Sequence, residues 1–141
     1  MAGETNLRKL LSGMTPRLKE GVFVFASLPP GTAVPPGIDP VMTFSEAEGT
    51  TLILEESEAS RAGIAGDFRS RMITLDVHSS LDAVGFVAVI TTQLAAAGMG
   101  VNPVSAFYHD HLFVPAERAE EALEILQRLQ HDPEKLQTFR K

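Results

Sequence analysis

From Ala83 to Tyr108 the chain carries no charged side chain, and this limits what the segment can be. A membrane-crossing helix needs ~20 consecutive apolar residues. Thr91, Thr92 and Gln93 interrupt the middle of the run, and Gly98, Gly100, Asn102 and Pro103 end any helix before that length is reached. What remains is a soluble helix of roughly four turns, apolar on more than one face. Val84, Ala88, Thr91 and Ala95 form one stripe, and Phe86, Val89, Ile90 and Ala97 another. One stripe can cover a sheet while the other meets a second helix or subunit.

The flanks supply the sheet. Met72 to Val77 alternates and is rich in β-formers, so it reads as a strand delivering the chain to His78. Ser79 or Ser80 can then cap the helix, Ser79-x-x-Asp82 has capping-box spacing, and the helix is expected to start near Leu81. Val101 to Tyr108 reads as a strand whose Pro103, lacking an N–H, belongs at the rim of a sheet. His109-Asp110 is the expected tight turn, and His111 to Val114 returns as a buried antiparallel strand that Pro115 ends. Ala116 to Gln130 is an amphipathic helix with Ala119, Ala122, Leu123, Leu126 and Leu129 on its apolar stripe. The order βαββα predicts an α+β fold, an antiparallel sheet with helices on one face, and requires a fourth strand.

The N-terminal half reads as a short helix over Leu7 to Leu11, a hairpin around Glu20-Gly21 and a Pro/Gly-rich loop from Pro29 to Pro40. A second hairpin follows, Val41 to Glu46 and Thr50 to Glu55 flanking Glu48-Gly49, then a helix over Ser57 to Ile64. This hairpin and helix align with the C-terminal ones at a constant offset: Ser45 on Ser105, Leu52 on Leu112, Ile53 on Phe113, Leu54 on Val114, Ala59 on Ala119 and Ala62 on Ala122. The chain is therefore a degenerate tandem repeat. Its first unit has only the proline-rich loop where the second has a long helix, because prolines at that density prevent three helical turns. The expected division is 1–67, 68–131 and a charged tail over 132–141. His131-Asp132-Pro133 breaks the chain after the last helix, so the second unit must borrow its fourth strand. Gly21 to Leu28 is the expected donor, and the halves would interlock.

Composition excludes several classes. A net charge of −6 with scattered basic residues argues against nucleic acid, and no basic patch suits a membrane surface. Zero cysteines remove disulfides, thiolate nucleophiles and the usual structural zinc sites. The first residues, MAGETNLRKLL, are charged and lack a signal-peptide core, so the cytoplasm is the expected compartment. His78, Ser79 and Asp82 lie too close in sequence to be assumed a triad, and neither a G-x-S-x-G elbow nor a glycine-rich nucleotide loop occurs. Neither catalysis nor a cofactor is expected.

The loop His78, Ser79, Ser80, Leu81, Asp82, Ala83, Val84, Gly85 is the binding candidate. Free N–H groups at a helix N-terminus attract an anion such as a carboxylate. The alternative is an ordinary capped helix with Gly85 at a helix–sheet contact. His109 and His111, two apart on a strand, share a face and with His78 invite a metal. Asp110 most simply belongs to the turn, however, and no residue that would orient the imidazoles can be identified, so no metal is expected. The better use is that one of these histidines or Asp110 faces the pocket and reads an amine or a side chain.

Three segments carry a family resemblance: SSLDAVGF at Ser79 to Phe86, LAAAGMGVNPVSAFYHDHLFVP at Leu94 to Pro115, and FSEAEGTTLIL at Phe44 to Leu54. Residues 70 to 130 resemble an ACT domain, and the whole resembles the small stand-alone proteins with tandem ACT-like units. The resemblance implies two ferredoxin-like βαββαβ units with the second strand at the edge, and the strand that the second unit must borrow would interlock them. It implies a small-molecule effector, an amino acid in the first instance, between the loop and the edge strand of a neighbouring unit. That geometry implicates Asn102, Val104 and Ser105. A regulatory or sensor protein working as a homodimer follows. The rival is a ligand-free interaction module whose uncharged helical face and edge strand hold a second copy or an enzyme partner.

Overall fold

The computed structural model describes residue 3 and residues 5–133, so nearly all of the expected tail lies outside the described residues. The elements are α1 (Leu7–Gly13), β1 (Thr15–Leu18), β2 (Phe23–Leu28), β3 (Met42–Glu46), β4 (Gly49–Glu55), α2 (Glu56–Ala62), β5 (Asp67–Asp76), α3 (Phe86–Ala96), β6 (Asn102–Ser105), β7 (Asp110–Pro115), a 3-10 turn (Ala116–Arg118) and α4 (Ala119–His131). One antiparallel sheet runs β3-β4-β2-β5-β7-β6, with β1 also beside β5.

Strand β5 makes the interlock. Its first part pairs with β2, Ser70 opposite Phe23, and its second part with β1, from Ile73 opposite Leu18 to Asp76 opposite Thr15. Along its other edge it pairs with β7, from Ser70 opposite Pro115 to Leu75 opposite Asp110. Each unit thereby has a full four-strand ferredoxin-like set, β5-β2-β4-β3 for the first and β1-β5-β7-β6 for the second. Two expectations are corrected. The borrowed strand is Thr15–Leu18 rather than Gly21 to Leu28, and Glu20-Gly21 is not a hairpin. The β1 and β2 strands instead run end to end along one edge of β5. The chain stays on that edge because the Lys19 N–H donates to the Met72 carbonyl (2.9 Å) and the Arg71 guanidinium donates to the Lys19 carbonyl (2.9 Å).

The repeat is visible in the ladders. Met42 lies opposite Ile53 as Asn102 lies opposite Phe113, and Ser45 opposite Thr50 as Ser105 lies opposite Asp110. The period-2 alternation then assigns faces. Leu52, Leu54, Leu112 and Val114 turn toward the helices, while Ile53 and Phe113 turn away. The larger core joins Leu10, Leu11 and Met14 from the N-terminal segment to Phe86, Ile90 and Leu94 of α3, Ile73 and Leu75 of β5, and Ala122, Leu126 and Leu129 of α4. Over the first unit's sheet, Val34 and Ile38 of the proline-rich loop and Ala59 of α2 cover Val24, Ala26, Leu28, Leu52 and Leu54.

Among the described residues no helix covers the opposite face, yet Phe23, Ile53 and Phe113 are buried there. The sheet accomplishes this by curling: Val41 and Met42 beside one edge strand line the same cavity as Val104 and Ala106 of the other. Phe23 and Phe25 meet Phe113 edge-on, with centroids 5.9 and 5.6 Å apart, which is the favoured aromatic geometry. Phe68, at φ 57, also turns its ring onto this face against Phe25.

Candidate ligand-binding site

The loop between β5 and α3 is longer than its serines suggest. The helix starts at Phe86, not near Leu81, and its cap is Gly85 in the left-handed region (φ 88) with no side-chain cap bond. Ser80 closes a local turn instead, its carbonyl accepting from the Ala83 N–H (3.0 Å) and its Oγ from the Asp82 N–H (3.0 Å). Ser79 turns inward and donates its Oγ–H to Asp110 Oδ2 (3.0 Å). The expected capping box is therefore absent: short polar side chains made a turn, the competing use of the same donors and acceptors.

Because Val89 donates the first helical hydrogen bond, to the Gly85 carbonyl, the N–H groups of Phe86, Val87 and Ala88 have no acceptor within the helix. These three residues line a cavity of about 240 Å³ with Ser79, Ser80, Leu81, Ala83, Gly85, Ser105 and Asp110. Phe86, Ile90 and Leu94 form the buried stripe that packs α3 into the core, and the start of the helix borders the cavity. Val84, Ala88 and Ala95, of the expected stripe that began at Val84, are exposed.

Asp110 arrives from the other side. The expected turn at His109-Asp110 lies earlier, at Phe107-Tyr108, where the Ala106 N–H donates to the His109 carbonyl (3.0 Å). Asp110 is already the first residue of β7, opposite Ser105, and is 6 % exposed. Among the described residues no basic side chain lines the cavity to which Asp110 contributes.

The other candidates are dispersed. His78 and Asp82 line a second cavity behind the loop with Gly3 and Phe107, and His78 lies against the Tyr108 ring at 5.4 Å. Val84 is on the surface, and Asn102 lies at the start of the edge strand, opposite Phe113. Val104 lines the cavity between the sheet's edges. His109 Nε2 is 3.5 Å from Asp76 Oδ1, and His111 Nδ1 is 3.0 Å from Thr74 Oγ1. Burial is the main influence lowering the His111 pKa, followed by the charge of His109. Among the described residues no three His, Cys, Asp or Glu side chains group as metal ligands. The sequence reading missed Phe86, Val87 and Ala88, whose signal was Gly85: a glycine just ahead of an uninterrupted helical run marks a left-handed entry.

ACT domain models match residues 2–71 and 67–128. The chain belongs to the ACT domain family. The two matches overlap within the first part of β5, the strand that the two ACT units share. A Vibrio cholerae protein of unknown function, described as a possible transport protein, is 39% identical with TM-score 0.80, and the alignment covers 88% of this chain and 95% of that one. A protein from Agrobacterium tumefaciens is 19% identical with TM-score 0.72, covering 83% and 89%. The ligand-free regulatory subunit of aspartate kinase from Thermus thermophilus has the same fold at 14% identity, with TM-score 0.61 and coverage of 80% and 94%. Comparison with curated proteins gives no match. ACT domains are small-molecule-binding regulatory modules, and this tandem ACT protein has that general role. No helix among its described residues is long and apolar enough to cross a membrane.

Proposed function

We propose that this protein senses a free amino acid in the cavity between α3 and β7. The carrying observation is that the cavity presents complementary partners for both ends of a zwitterion. Asp110 is a buried acid with no cation along the lining among the described residues, suited to an α-ammonium group. The N–H groups of Phe86, Val87 and Ala88 and the positive end of the helix dipole suit the carboxylate. Ser79 fixes Asp110, and Ser105 adds a hydroxyl that can donate or accept toward the ligand. The carboxylate subsite lies on α3 rather than on Ser80 to Val84, whose Asp82 and Ala83 N–H groups are already bonded to Ser80.

Within one chain the lining comes from the second unit alone. We propose that a second copy closes the site, placing it at a junction of two ACT units in a homodimer. Leu81, Val84, Phe107 and Tyr108 are large, exposed hydrophobic residues clustered by sequence and fold around this loop, 60 to 83 % exposed. Such a rim supports contact with another subunit. Ligand reports its presence by favouring one packing of the two copies, to the extent that it binds that packing better. We take the unit boundary near residue 67, with residues 1–67 lending β1 to residues 68–131.

Titration calorimetry with the common amino acids tests the binding reading, and sedimentation with and without ligand tests the assembly. The expected result is saturable binding of a restricted set of amino acids, abolished in Asp110→Asn, and weakened self-association in Val84→Glu. Binding unaffected by Asp110→Asn would overturn the site. Self-association with no amino acid bound would favour the interaction-module reading, which the same exposed rim supports.

A further inference from the structure

The cavity at the seam of the curled sheet differs in chemistry from the loop cavity. Val41, Met42, Met72, Val104, Ala106, His111 and Phe113 line about 180 Å³. Strands β5, β6 and β7 and the β3 edge all contribute, so both ACT units form its walls. Phe44, on the same face as Met42 by strand alternation, and Val41 are the large hydrophobic residues exposed at this end of the sheet, at 64 and 50 %. We infer that this seam is a second ligand site, for a small neutral aromatic molecule of benzene to indole size that carries one hydrogen-bonding group.

The lining sets each part of that description. A protein cavity of ~150 Å³ walled by apolar side chains stays dry and admits benzene, so the volume here suits one ring system and not a peptide segment. Met42 and Met72 supply adaptable walls and sulfur–aromatic contacts, and the buried edge of Phe113 offers a partner for a ring. Among the described residues no lysine, arginine or carboxylate lines the seam, so a charged ligand would lose hydration without gaining a counter-charge there. Among the described residues His111 is the one polar side chain in the wall. Thr74 engages its Nδ1, leaving Nε2 as the nitrogen that can meet a ligand group, as donor or acceptor according to tautomer. Val104, which family resemblance assigns to the effector site, belongs here.

Indole and benzene are the probes, read by the ε-methyl resonances of the full chain's methionines, with Met42→Leu and Met72→Leu assigning the two seam signals. Expected are saturable shifts of those two signals with a midpoint at or below about 1 mM for indole, and weaker binding of benzene. Ala106→Leu, at an exposed position, should weaken indole at least about tenfold by filling the seam, a loss of 1.4 kcal/mol by the standard conversion. His111→Phe should narrow the preference for indole over benzene. No saturable shift, shifts unaffected by Ala106→Leu, or a seam occupied by self-association that indole does not displace would each overturn the inference. Asp110→Asn, which should abolish amino-acid binding, should leave saturable indole shifts at Met42 and Met72 in place, so the two sites fail separately.

Discussion

The two ACT units share a ladder register and differ in what covers the sheet between their first and second strands. In the second unit α3 places Phe86, Ile90 and Leu94 into the core. In the first, the proline-rich loop over residues 29–41 sets Val34 and Ile38 against a smaller cluster. Both solutions cover the apolar face, but only a helix presents several aligned N–H groups at its start. Position 110 follows the same division, because the residue in register with Asp110 in the first unit is Thr50, facing Ser45. Cover is a requirement of the fold that several sequences meet, whereas the proposed site needs the helix and the acid together.

The largest effect should separate the two covers. Ile90 is fully buried, so Ile90→Ala should cost about 2–5 kcal/mol in denaturant unfolding. Ile38 is half-buried in a loop, and Ile38→Ala should cost less than about half of that. Equal losses would mean that the loop carries the load of a helix.

Giving the second unit the first unit's residue, Asp110→Thr, should remove about 1.5–3 kcal/mol of ligand affinity by calorimetry, the range for a hydrogen bond to a charged group. The fold should persist, since Thr50 occupies the same ladder position in a stable hairpin. Gly85→Ala forces a side chain into the left-handed region and should cost about 1–2 kcal/mol of stability. Ala88→Gly on the exposed first turn provides the control for helix propensity, at ~1 kcal/mol.

The smallest expected effects are pH-dependent. Burial lowers the folded-state pKa of His111 below its ordinary 6.5. The unfolded chain therefore takes up the proton more readily, and the stabilisation present above 6.5 is lost as the pH falls through the folded value. His111→Thr, which restores the first unit's Thr51, should flatten unfolding midpoints across that window. The hydrogen bond from Arg17 Nε to Asp76 Oδ2, 2.6 Å, lowers the Asp76 pKa below 3.8 and joins β1 to β5. Its contribution is present above 3.8 and is lost as the pH falls below that, so Arg17→Ala should reduce acid sensitivity in the more acidic range alone.

Much of this architecture was legible because it rests on periodicity. The alternation in the two hairpins and the apolar stripe of α4 stood out, and the repeat offset survives in the ladders residue for residue. Three features did not read through. The pairing of Thr15–Leu18 with β5, in place of a hairpin around Glu20-Gly21, was one, because a four-residue strand containing Pro16 has little local signal and is fixed by that distant partner. Ser79 and Ser80 looked like helix caps, because cap and turn use the same polar side chains, and tertiary contact with Asp110 decided between them. The seam cavity was not legible at all, since sheet curvature brings Met42 and Val104 together from opposite edges. Of the residues lining the proposed site, the loop and Ser105 are among those the sequence singles out, as is Asp110, which belongs to β7 rather than to the turn.

The most direct test is thermal unfolding with an amino acid that binds, beside its analogues lacking the α-amino or the carboxylate group. Ligand at 100 times its dissociation constant adds about 2.7 kcal/mol, a midpoint shift of several degrees for a chain of this size. Recognition at both ends predicts that the intact amino acid gives this shift, that either analogue at the same concentration gives little, and that Asp110→Asn removes the difference. Equal shifts from the analogues, or none from any amino acid, would contradict a zwitterion held between Asp110 and the start of α3.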